Sequence, residues 1–443
     1  METPDTRPER RISEAGLLVL ALLLAVGAYA VVGLTRDARL PAGLVSYGLT
    51  LTALFAVAHF AVRRLAPQAD PVILPVAALL NGLGLVIVRR LDFATGTDQA
   101  PAQLLWSVIG CGAFVITLIL VRDHRVLDRY RYTWAVGGLA LLLLPLAPGI
   151  GREINQARLW IRMGPVQFQP AEAAKVALVI FFASYFTAKR ELLSTASRKI
   201  GPFRLPAAKH FGPVLFAWAI SLAVLIFEKD LGMSVLFFAM FVGLLYVATA
   251  RAIYLVAGTA MFATSTYAAY LRIAHVRVRV AIWLHLWDYV GDRGYQLAQS
   301  LFALGTGGIA GTGLAQGRPD FIPFASTDFV FSAIGEELGL LGTVAVLLCF
   351  LMLAGRGFRI ALSAGDGFGK LLACGLTFIL AVQTFVIIGG ATRLIPLTGI
   401  TLPFVSYGGS SLLANYVLIA LLMRVSAGPA PERAKAPVAR ERP

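Results

Sequence analysis

Charged residues are scarce in this chain of 443 residues, since Asp, Glu, Lys and Arg together make up 14% of it, whereas apolar residues make up 58%. The mean hydropathy of +0.76 is far above the balance that keeps a soluble domain dispersed in water. Acidic residues are the scarcer of the two signs, 24 against 39 basic ones, which gives a formal charge of +15. The composition excludes an ordinary soluble domain and indicates an integral membrane protein.

Cysteine is also rare. The three cysteines, Cys111, Cys349 and Cys374, all lie inside apolar runs, with no Cys-x-x-Cys pair and no histidine cluster beside them. Disulfides and a structural zinc site are therefore not expected.

Apolar runs long enough to cross a bilayer recur along the whole chain. A hydrocarbon core about 30 Å thick needs roughly 20 apolar residues in a helix. Twelve such spans are predicted, near residues 15–34, 43–62, 72–88, 103–121, 133–148, 171–187, 211–227, 231–249, 252–271, 329–355, 371–391 and 410–423. The first run lacks a clear cleavage site and is followed at once by another span, so it is not read as a signal peptide.

The basic residues are distributed unevenly between the two sides of these spans. If the amino terminus is cytoplasmic, the connections on that side hold 24 Lys and Arg and those on the other side hold 14. This bias predicts that both termini are cytoplasmic, with the loop 188–210 as the strongest anchor. It also explains the positive charge without nucleic acid. Residues 1–14 are then a cytoplasmic start, and 425–443 a disordered cytoplasmic tail.

One connection, residues 272–328, is too long to be a simple turn, and the charge bias places it outside the cytoplasm. Its basic and aromatic start predicts a helix lying at the membrane interface. The residues concerned are Arg277, Arg279, Trp283, Trp287 and Tyr289. Further on, five glycines between Gly305 and Gly313 favour flexible backbone or close chain contact over regular structure. Function is expected in this loop.

Polar residues of the first candidate site surround the entry to the sixth span. Arg158 and Trp160 come shortly before it, and Glu172 and Lys175 share one face of its first turns. A lysine one turn inside an apolar run is costly unless paired, and by default marks a functional site or a water-filled cavity. A structural ion pair, or a lysine that snorkels to the interface, is the alternative.

The second candidate is Asp230, in the short charged turn Glu228–Gly232 between two spans. A tight connection normally places its charges in water. Asp230 is therefore expected either to face solvent or to have a functional role.

The third candidate is Asp328, which ends the long loop just before a helix. Asp is a good helix N-cap, so capping would explain this residue without catalysis. Capping does not explain Glu336 and Glu337, two acids inside the following apolar helix, which need partners or a cavity. Lys175 and Arg393 are candidate partners.

The fourth candidate is the stretch from Arg393 to Ser411, which holds two prolines and three glycines before the last span. Irregular backbone at membrane depth is tolerated only inside protein or along a cavity. Close helix packing by small residues is the alternative reading. The residues singled out in its second half are Ser406, Tyr407, Gly408 and Gly409.

Four motifs of these segments resemble the RodA/FtsW/SpoVE (SEDS) family, and they occur in the family order. They are Phe-Gln-Pro-x-Glu-x-x-Lys at 168–175, Asp-Leu-Gly at 230–232, Thr-Asp-Phe-x-Phe-x-x-x-Gly-Glu-Glu-Leu-Gly at 327–339, and Pro-x-x-Ser-Tyr-Gly-Gly-Ser-Ser at 403–411. The resemblance covers about 72–424 and implies an all-α polytopic membrane protein with a ten-helix core. Residues 15–71 then carry two additional amino-terminal helices, which makes about twelve in all.

The resemblance implies a peptidoglycan glycosyltransferase that polymerises lipid II into a nascent glycan strand at the outer face of the bacterial cytoplasmic membrane. A class B penicillin-binding protein would crosslink the strands. The family's catalytic aspartate falls on Asp328. Substrate-binding roles are expected for Arg158, Trp160, Glu172, Lys175, Asp230, Arg393, Ser406, Tyr407, Gly408 and Gly409.

This sequence departs from the family pattern at a few positions. Leu159 stands where an Arg usually precedes the Trp, Ala171 replaces a Ser, and Lys229 replaces a Pro. Thr398 stands where division-type members tend to have Lys, so an elongation-type RodA is favoured.

The residues suit glycosyl transfer. A carboxylate within hydrogen-bond reach can take the proton of the attacking 4-hydroxyl group, and Asp328 is the chosen base. Lys175, Arg158, Arg393 or a divalent cation such as Mg²⁺ or Mn²⁺ could stabilise the departing pyrophosphate.

A transporter that flips lipid II or another amphiphile is the main alternative, and a noncatalytic scaffold is a third reading. A transporter should show related half repeats and charges near the middle of the bilayer. The sequence has no evident repeat, and its polar motifs gather at one face, which favours the enzyme.

Overall fold

The computed structural model describes residues 7–154, 157–163, 166–194, 198–200, 203–205, 219 and 230–428. Fourteen α-helices of this part are numbered here in chain order. They are α1 Arg7–Asp37, α2 Leu44–Leu65, α3 Ile73–Thr95, α4 Ala100–Leu120, α5 Arg125–Arg129, α6 Arg131–Leu143, α7 Pro170–Ser194, α8 Leu231–Thr249, α9 Ala252–Arg272, α10 Ala274–Leu284, α11 Tyr295–Gly307, α12 Val330–Ser363, α13 Gly367–Ala391 and α14 Gly409–Ala427.

Ten of these helices are long and apolar enough to cross a membrane. They coincide with ten of the twelve predicted spans, so the polytopic all-α fold is confirmed. The span predicted at 133–148 is a shorter apolar helix, Arg131–Leu146. The span predicted at 211–227 lies outside the described residues, as do the charged turn residues before Asp230 and most of the predicted tail.

Two small antiparallel sheets interrupt the helices. Strands β1 Gly151–Ile154, β2 Ala157–Met163 and β3 Val166–Phe168 form one sheet in the order β1-β2-β3, with Ile161 opposite Phe168. Strands β4 Arg198–Ile200 and β5 Phe203–Leu205 form the other. The first sheet ends two residues before α7, so it leads directly into the span that carries Glu172 and Lys175.

The helices differ in how much of their surface faces protein. In α3, α7 and α14 about 83% of the apolar window is buried, whereas in α9 only 11% is. Helices buried on all sides have room for polar side chains only where these find partners inside the protein. The polar residues of interest lie on, or next to, these central helices.

The two amino-terminal helices pack on the core as a hairpin. The buried Glu14 of α1 pairs with His59 of α2 at 2.7 Å. The Tyr47 hydroxyl of α2 donates to the Gly82 carbonyl of α3 at 3.1 Å. The hairpin is therefore held together by the Glu14–His59 hydrogen bond and fixed to the core by α3.

The long loop is largely helical. It contains α10, a 3₁₀ turn at Leu286–Tyr289, α11 and a second 3₁₀ turn at Pro319–Phe321. The predicted interfacial helix is α10, while the glycine run begins inside α11 and leaves helical structure after Gly307. Helix α12, which follows, breaks its helical geometry at Gly339, where φ is 66° and ψ is −164°.

Candidate active site

Asp328 lies in a tight turn immediately before α12. The backbone N–H groups of Thr327, Asp328 and Phe329 all point to the Phe324 carbonyl oxygen, at 3.1, 3.1 and 3.3 Å. The N-cap residue of α12 is Phe329, and no side chain caps this helix. The capping explanation of Asp328 is therefore wrong, and its half-buried carboxylate is available for another role.

Arg279 of α10 is the cation beside this carboxylate. Its Nη1 donates to the carbonyl oxygens of Leu397 and Thr398, at 2.9 and 3.0 Å. Arg279 Nη2 and Asp328 Oδ2 flank Gly399, whose φ is +76°, and a β-carbon there would lie 3.7 and 3.8 Å from the two atoms. These are ordinary contact distances, so glycine is favoured at 399 by its positive φ and not by lack of space.

The charges of this region are shared between two aspartates. Burial raises the pKa of Asp328 to about 6, and the nearby Arg279 opposes the rise. Burial also raises the pKa of Asp230 to about 6, against the Met233 backbone hydrogen bond and the charge of Arg279. Burial in turn lowers the pKa of Arg279, and the two aspartates counteract that shift. One guanidinium thus interacts electrostatically with two carboxylates.

Asp230 has a structural role as well as a charge. Its Oδ1 accepts the Met233 N–H at 2.9 Å and so caps α8. Its Oδ2 accepts from Gln169 Nε2 at 3.3 Å, and the Gln169 N–H donates to Ser410 Oγ at 2.8 Å. Asp230 therefore ties the start of α8 to the entry of α7 and to α14, rather than facing water.

Lys175 is fully buried at the centre of a second group of polar side chains. Its Nζ lies 2.6 Å from Glu172 Oε2, 2.8 Å from Gln383 Oε1 and 3.1 Å from Asn415 Oδ1. The predicted pairing of Glu172 and Lys175 away from lipid is confirmed. Lys175 Nζ donates hydrogen bonds to Gln383 and Asn415, and its contact with Glu172 is an ion pair without hydrogen-bond geometry.

The turn before α14 holds the segment that carries Asp328. The Ser406 hydroxyl donates to the Thr327 carbonyl at 2.6 Å, and the Tyr407 N–H donates to the Ser326 carbonyl at 2.8 Å. The two residues just before the aspartate are thereby fixed to the 406–407 backbone. The Ser406 side chain here contacts the backbone of the Asp328 segment.

Helix α4 in turn holds that turn. The buried Gln103 amide donates to the Ser406 carbonyl at 3.1 Å and accepts the Gly408 N–H at 3.3 Å. At Gly409, any side chain would overlap the Trp106 ring. Close packing accounts for Gly409, and a β-carbon at Gly408 would lie 3.2 Å from the Thr401 side chain.

Arg393 lies apart from these groups. Its Nε and Nη2 donate to the carbonyl oxygens of Trp283 and Leu284 at the end of α10, at 2.8 and 2.9 Å, and Trp283 Nε1 donates back to the Arg393 carbonyl at 3.1 Å. The expectation that Arg393 or Lys175 pairs with Glu336 and Glu337 is wrong.

Arg158 and Trp160 lie on β2, where Arg158 is exposed and Trp160 half-buried. Their strand pairs with β3, which ends at Phe168, next to Gln169. They are thus near Gln169 and the start of α7 in the chain, outside the helices that could cross a membrane.

Sequence reasoning missed several residues of this network. Arg279 was read as part of an interfacial stretch, because nothing in its neighbours distinguishes it from Arg277. Gln103, Gln383 and Asn415 carried a usable signal, since an amide side chain inside an apolar span needs a partner.

A metal site is not evident among the described residues, where no three His, Cys, Asp or Glu side chains lie close enough to hold an ion. Asp230 and Asp328 both interact electrostatically with Arg279 instead. Mg²⁺ often binds through only one or two carboxylates together with substrate phosphates, so this donor set does not form a cation site by itself.

Comparison with known proteins identifies the family. The model of the FtsW/RodA/SpoVE family, described as "Cell cycle protein", matches residues 71–429. The chain belongs to this family. Its two amino-terminal helices precede the matched region.

Relatives of the chain include proteins named as enzymes. It is 47% identical over 428 residues to the "Peptidoglycan glycosyltransferase RodA" of Mycobacterium tuberculosis, covering 95% of this chain and 91% of that protein. The corresponding protein of Mycobacterium leprae is 46% identical over 425 residues, with the same coverage of 95% and 91%. A "Probable peptidoglycan glycosyltransferase FtsW" of Geobacter metallireducens is 34% identical, over 81% of this chain and 94% of the relative.

A solved structure also resembles it. A chain of "Structural coordination of polymerization and crosslinking by a peptidoglycan synthase complex" superposes with a TM-score of 0.56 at 27% identity, covering 86% of this chain and 96% of that one. The chain is accordingly a multi-pass membrane protein of the FtsW/RodA/SpoVE family.

Proposed function

We propose that this protein is a peptidoglycan glycosyltransferase that polymerises lipid II into glycan strands, with Asp328 as the general base. The observation that carries the proposal is that the half-buried carboxylate of Asp328 caps no helix and lies near Arg279. A pKa of about 6 leaves this carboxylate ionised at neutral pH, yet basic enough to take a proton.

The reaction follows from that placement. The 4-hydroxyl oxygen of one lipid-linked sugar attacks the anomeric carbon of another, and Asp328 accepts the hydroxyl proton. The bond from that carbon to the lipid pyrophosphate breaks with inversion, and the pyrophosphate leaves with the bonding electrons. Both reactants are anchored in the same membrane, so binding them in one cleft removes most of the search for each other.

Arg279 is the best-placed cation for this chemistry. It lies next to Asp328, and its guanidinium can favour both the ionised base and negative charge on the leaving group. Lys175 is less suited to that role than the sequence suggested, because it is fully buried and its ammonium group interacts with Glu172, Gln383 and Asn415 inside the protein. Arg158, exposed on β2, stays a candidate for contacting the pyrophosphate.

The higher identity to proteins named RodA than to those named FtsW supports a role in elongation. A class B penicillin-binding protein is the proposed partner, and the likeness to a chain of a peptidoglycan synthase complex supports it. The catalytic face is proposed to lie on the outer side of the bacterial cytoplasmic membrane, with both termini inside, because of the 24 to 14 division of basic residues.

The test is polymerisation of fluorescent lipid II by the purified protein, alone and with its partner. Asp328→Asn keeps the size of the side chain and removes the base, so strand synthesis should fall on the order of 100-fold or more. The variant should melt like the original protein. Comparable synthesis by a well-folded Asp328→Asn protein would refute the assignment. A chelator titration in the same assay tests whether a divalent cation such as Mg²⁺ or Mn²⁺ takes part in the reaction.

A further inference from the structure

The glycine-rich segment after α11, residues 308–318, pairs with the broken turn of α12. The break at Gly339 turns the backbone away from helical hydrogen bonding, and the segment bonds to the groups on both sides of it. The four hydrogen bonds are Thr312 N to Glu336 O at 2.9 Å, Gly313 N to Glu337 O at 3.0 Å, Leu340 N to Gly308 O at 2.9 Å and Leu341 N to Ile309 O at 3.2 Å. The backbone groups around the break in α12 thus bind the loop through hydrogen bonds.

The two acids that the sequence left without partners complete this contact. Glu336 Oε1 accepts the Arg318 N–H at 2.8 Å, and Glu337 Oε2 accepts the Ala315 N–H at 3.0 Å. Both side chains are buried, at 5% and 2% exposure. Their carboxylates therefore bind loop backbone, which leaves them poorly placed to bind a substrate.

Arg90 of α3 closes the contact from the other side. Its Nε donates to Glu337 Oε1 at 2.8 Å, and its Nη2 donates to the Gly317 carbonyl at 2.9 Å. Arg90 is 8% exposed. One guanidinium thus bridges the acid of α12 and the loop itself, and removing either charge would leave the other buried and uncompensated.

The bridged segment leads to the proposed base. From Arg318 the chain continues through the 3₁₀ turn Pro319–Phe321 to Phe324, whose carbonyl accepts the N–H of Asp328. Asp328 is therefore held upstream by the Arg90 bridge and downstream by the start of α12, which carries Glu337. Glu337 therefore helps to hold the segment at both ends, upstream through Arg90 and downstream through α12.

We propose that Arg90 and Glu337 form a latch that positions Asp328 for proton transfer. They act through the loop backbone and do not touch substrate. The inference rests on the proposed function, because it concerns the placement of that base. A base displaced by about 1 Å can cost on the order of 100-fold in rate, so a latch of this kind affects turnover more than substrate binding.

Two variants test the latch in the full-length protein. Glu337→Gln keeps the shape and an acceptor for Ala315 N–H but removes the charge, and Arg90→Lys keeps the charge but cannot bridge both acceptors. We expect kcat to fall by about 10- to 100-fold with KM for lipid II within about twofold of the original. Hydrogen exchange should rise in peptides covering 311–318 and 323–329.

The matched control is Arg89→Lys, the neighbouring residue on α3, whose guanidinium lies over the exposed Phe93 ring. This variant should retain kcat and KM. A rise in KM at constant kcat in the latch variants would assign Arg90 and Glu337 to substrate binding and overturn the proposal. Faster exchange at 311–318 without a change in kcat would overturn it too, because the contact would then be structural only.

The activity of Asp328→Asn, measured beside the latch variants, keeps the two proposals separate. If Asp328→Asn retains activity, the proposed base is wrong whatever the latch variants do. If Asp328→Asn is inactive while both latch variants turn over normally, only the latch is wrong. Should Glu337→Gln fail to fold, Arg90→Lys carries the test, since it preserves the buried charge pair.

Discussion

Arg279 is the residue on which the charge balance of the site depends, because it lies between two acids that would otherwise be buried without a counter-charge. The charge of Arg279 offsets only part of the effect of burial, so the pKa of each aspartate is about 6. An active carboxylate in this range loses its function just below neutral pH. Activity measurements can therefore report on this cluster directly.

Activity should fall as the pH drops through about 6, because Asp328 accepts a proton only when ionised. Arg279 lowers the pKa of Asp328, so Arg279→Gln should raise that pKa and move the acidic limb of the kcat profile to higher pH. Arg279→Lys keeps the positive charge and should move the limb less. An acidic limb at the same pH in all three proteins would contradict the pairing of Arg279 with Asp328.

Lys175 should matter for stability. Lys175→Met leaves Glu172 buried without its counter-charge, which commonly costs about 3–5 kcal/mol. The melting temperature of the purified variant should drop clearly, whereas Lys370→Met, at an exposed lysine, should melt like the original. A Lys175→Met protein of normal stability that no longer makes glycan would instead support a substrate contact.

At the scale of elements, the turn 406–409 is where α4, α14 and the Asp328 segment meet. Its small residues are explained by the neighbours that approach it, chiefly the ring of Trp106 and the amide of Gln103. The motif is therefore a junction between helices. Its effect on the reaction is transmitted through Ser406 to Thr327.

Gln103→Glu tests that junction with almost no change in shape. The new carboxylate cannot donate to the Ser406 carbonyl and would repel it, so we expect a lower melting temperature and about a tenfold loss of turnover. Gln68→Glu, an exposed position, is the control. Unchanged turnover and stability in Gln103→Glu would mean that the turn holds its shape without α4.

The sequence predicted an element well when the pattern that identifies it lies in neighbouring residues. Apolar runs predicted ten spans, because a helix in lipid requires about 20 consecutive apolar residues. The short strands β1 to β3 gave no such signal and were not predicted. The partner of Glu337 was also missed, since Arg90 lies 247 residues away in the chain and is otherwise an ordinary basic residue at the end of a span.

The whole molecule carries its candidate site at one membrane face. Asp230 comes from the short turn before α8, and Arg279 and Asp328 come from the long connection 272–328; the distribution of basic residues assigns both connections to the outer side. The electrostatic interactions of Arg279 with both aspartates are consistent with a common face. The family motifs predicted Asp328 and Asp230 but did not predict Arg279.

The orientation predicts which surface is accessible to reagents. With the three native cysteines replaced, a cysteine at the exposed Gln316 should react with an impermeant maleimide added outside intact cells. A cysteine at Gln68 should react only after the membrane is opened, because it follows a span that ends in the cytoplasm. The reverse pattern would invert the topology and place the site on the wrong side for cell-wall synthesis.

The Lys175 cluster also has a consequence for biogenesis. Gln383 and Asn415, two of its three acceptors, lie 208 and 240 residues further along the chain. At a synthesis rate of about 5–20 residues per second, α7 is made roughly 10–40 s before Gln383 exists. During that interval Glu172, on the same helix, is the one member of the cluster already available to the ammonium group. A span that must wait for its neighbours in this way would remain near the translocon, or with an insertion chaperone, until α13 and α14 arrive.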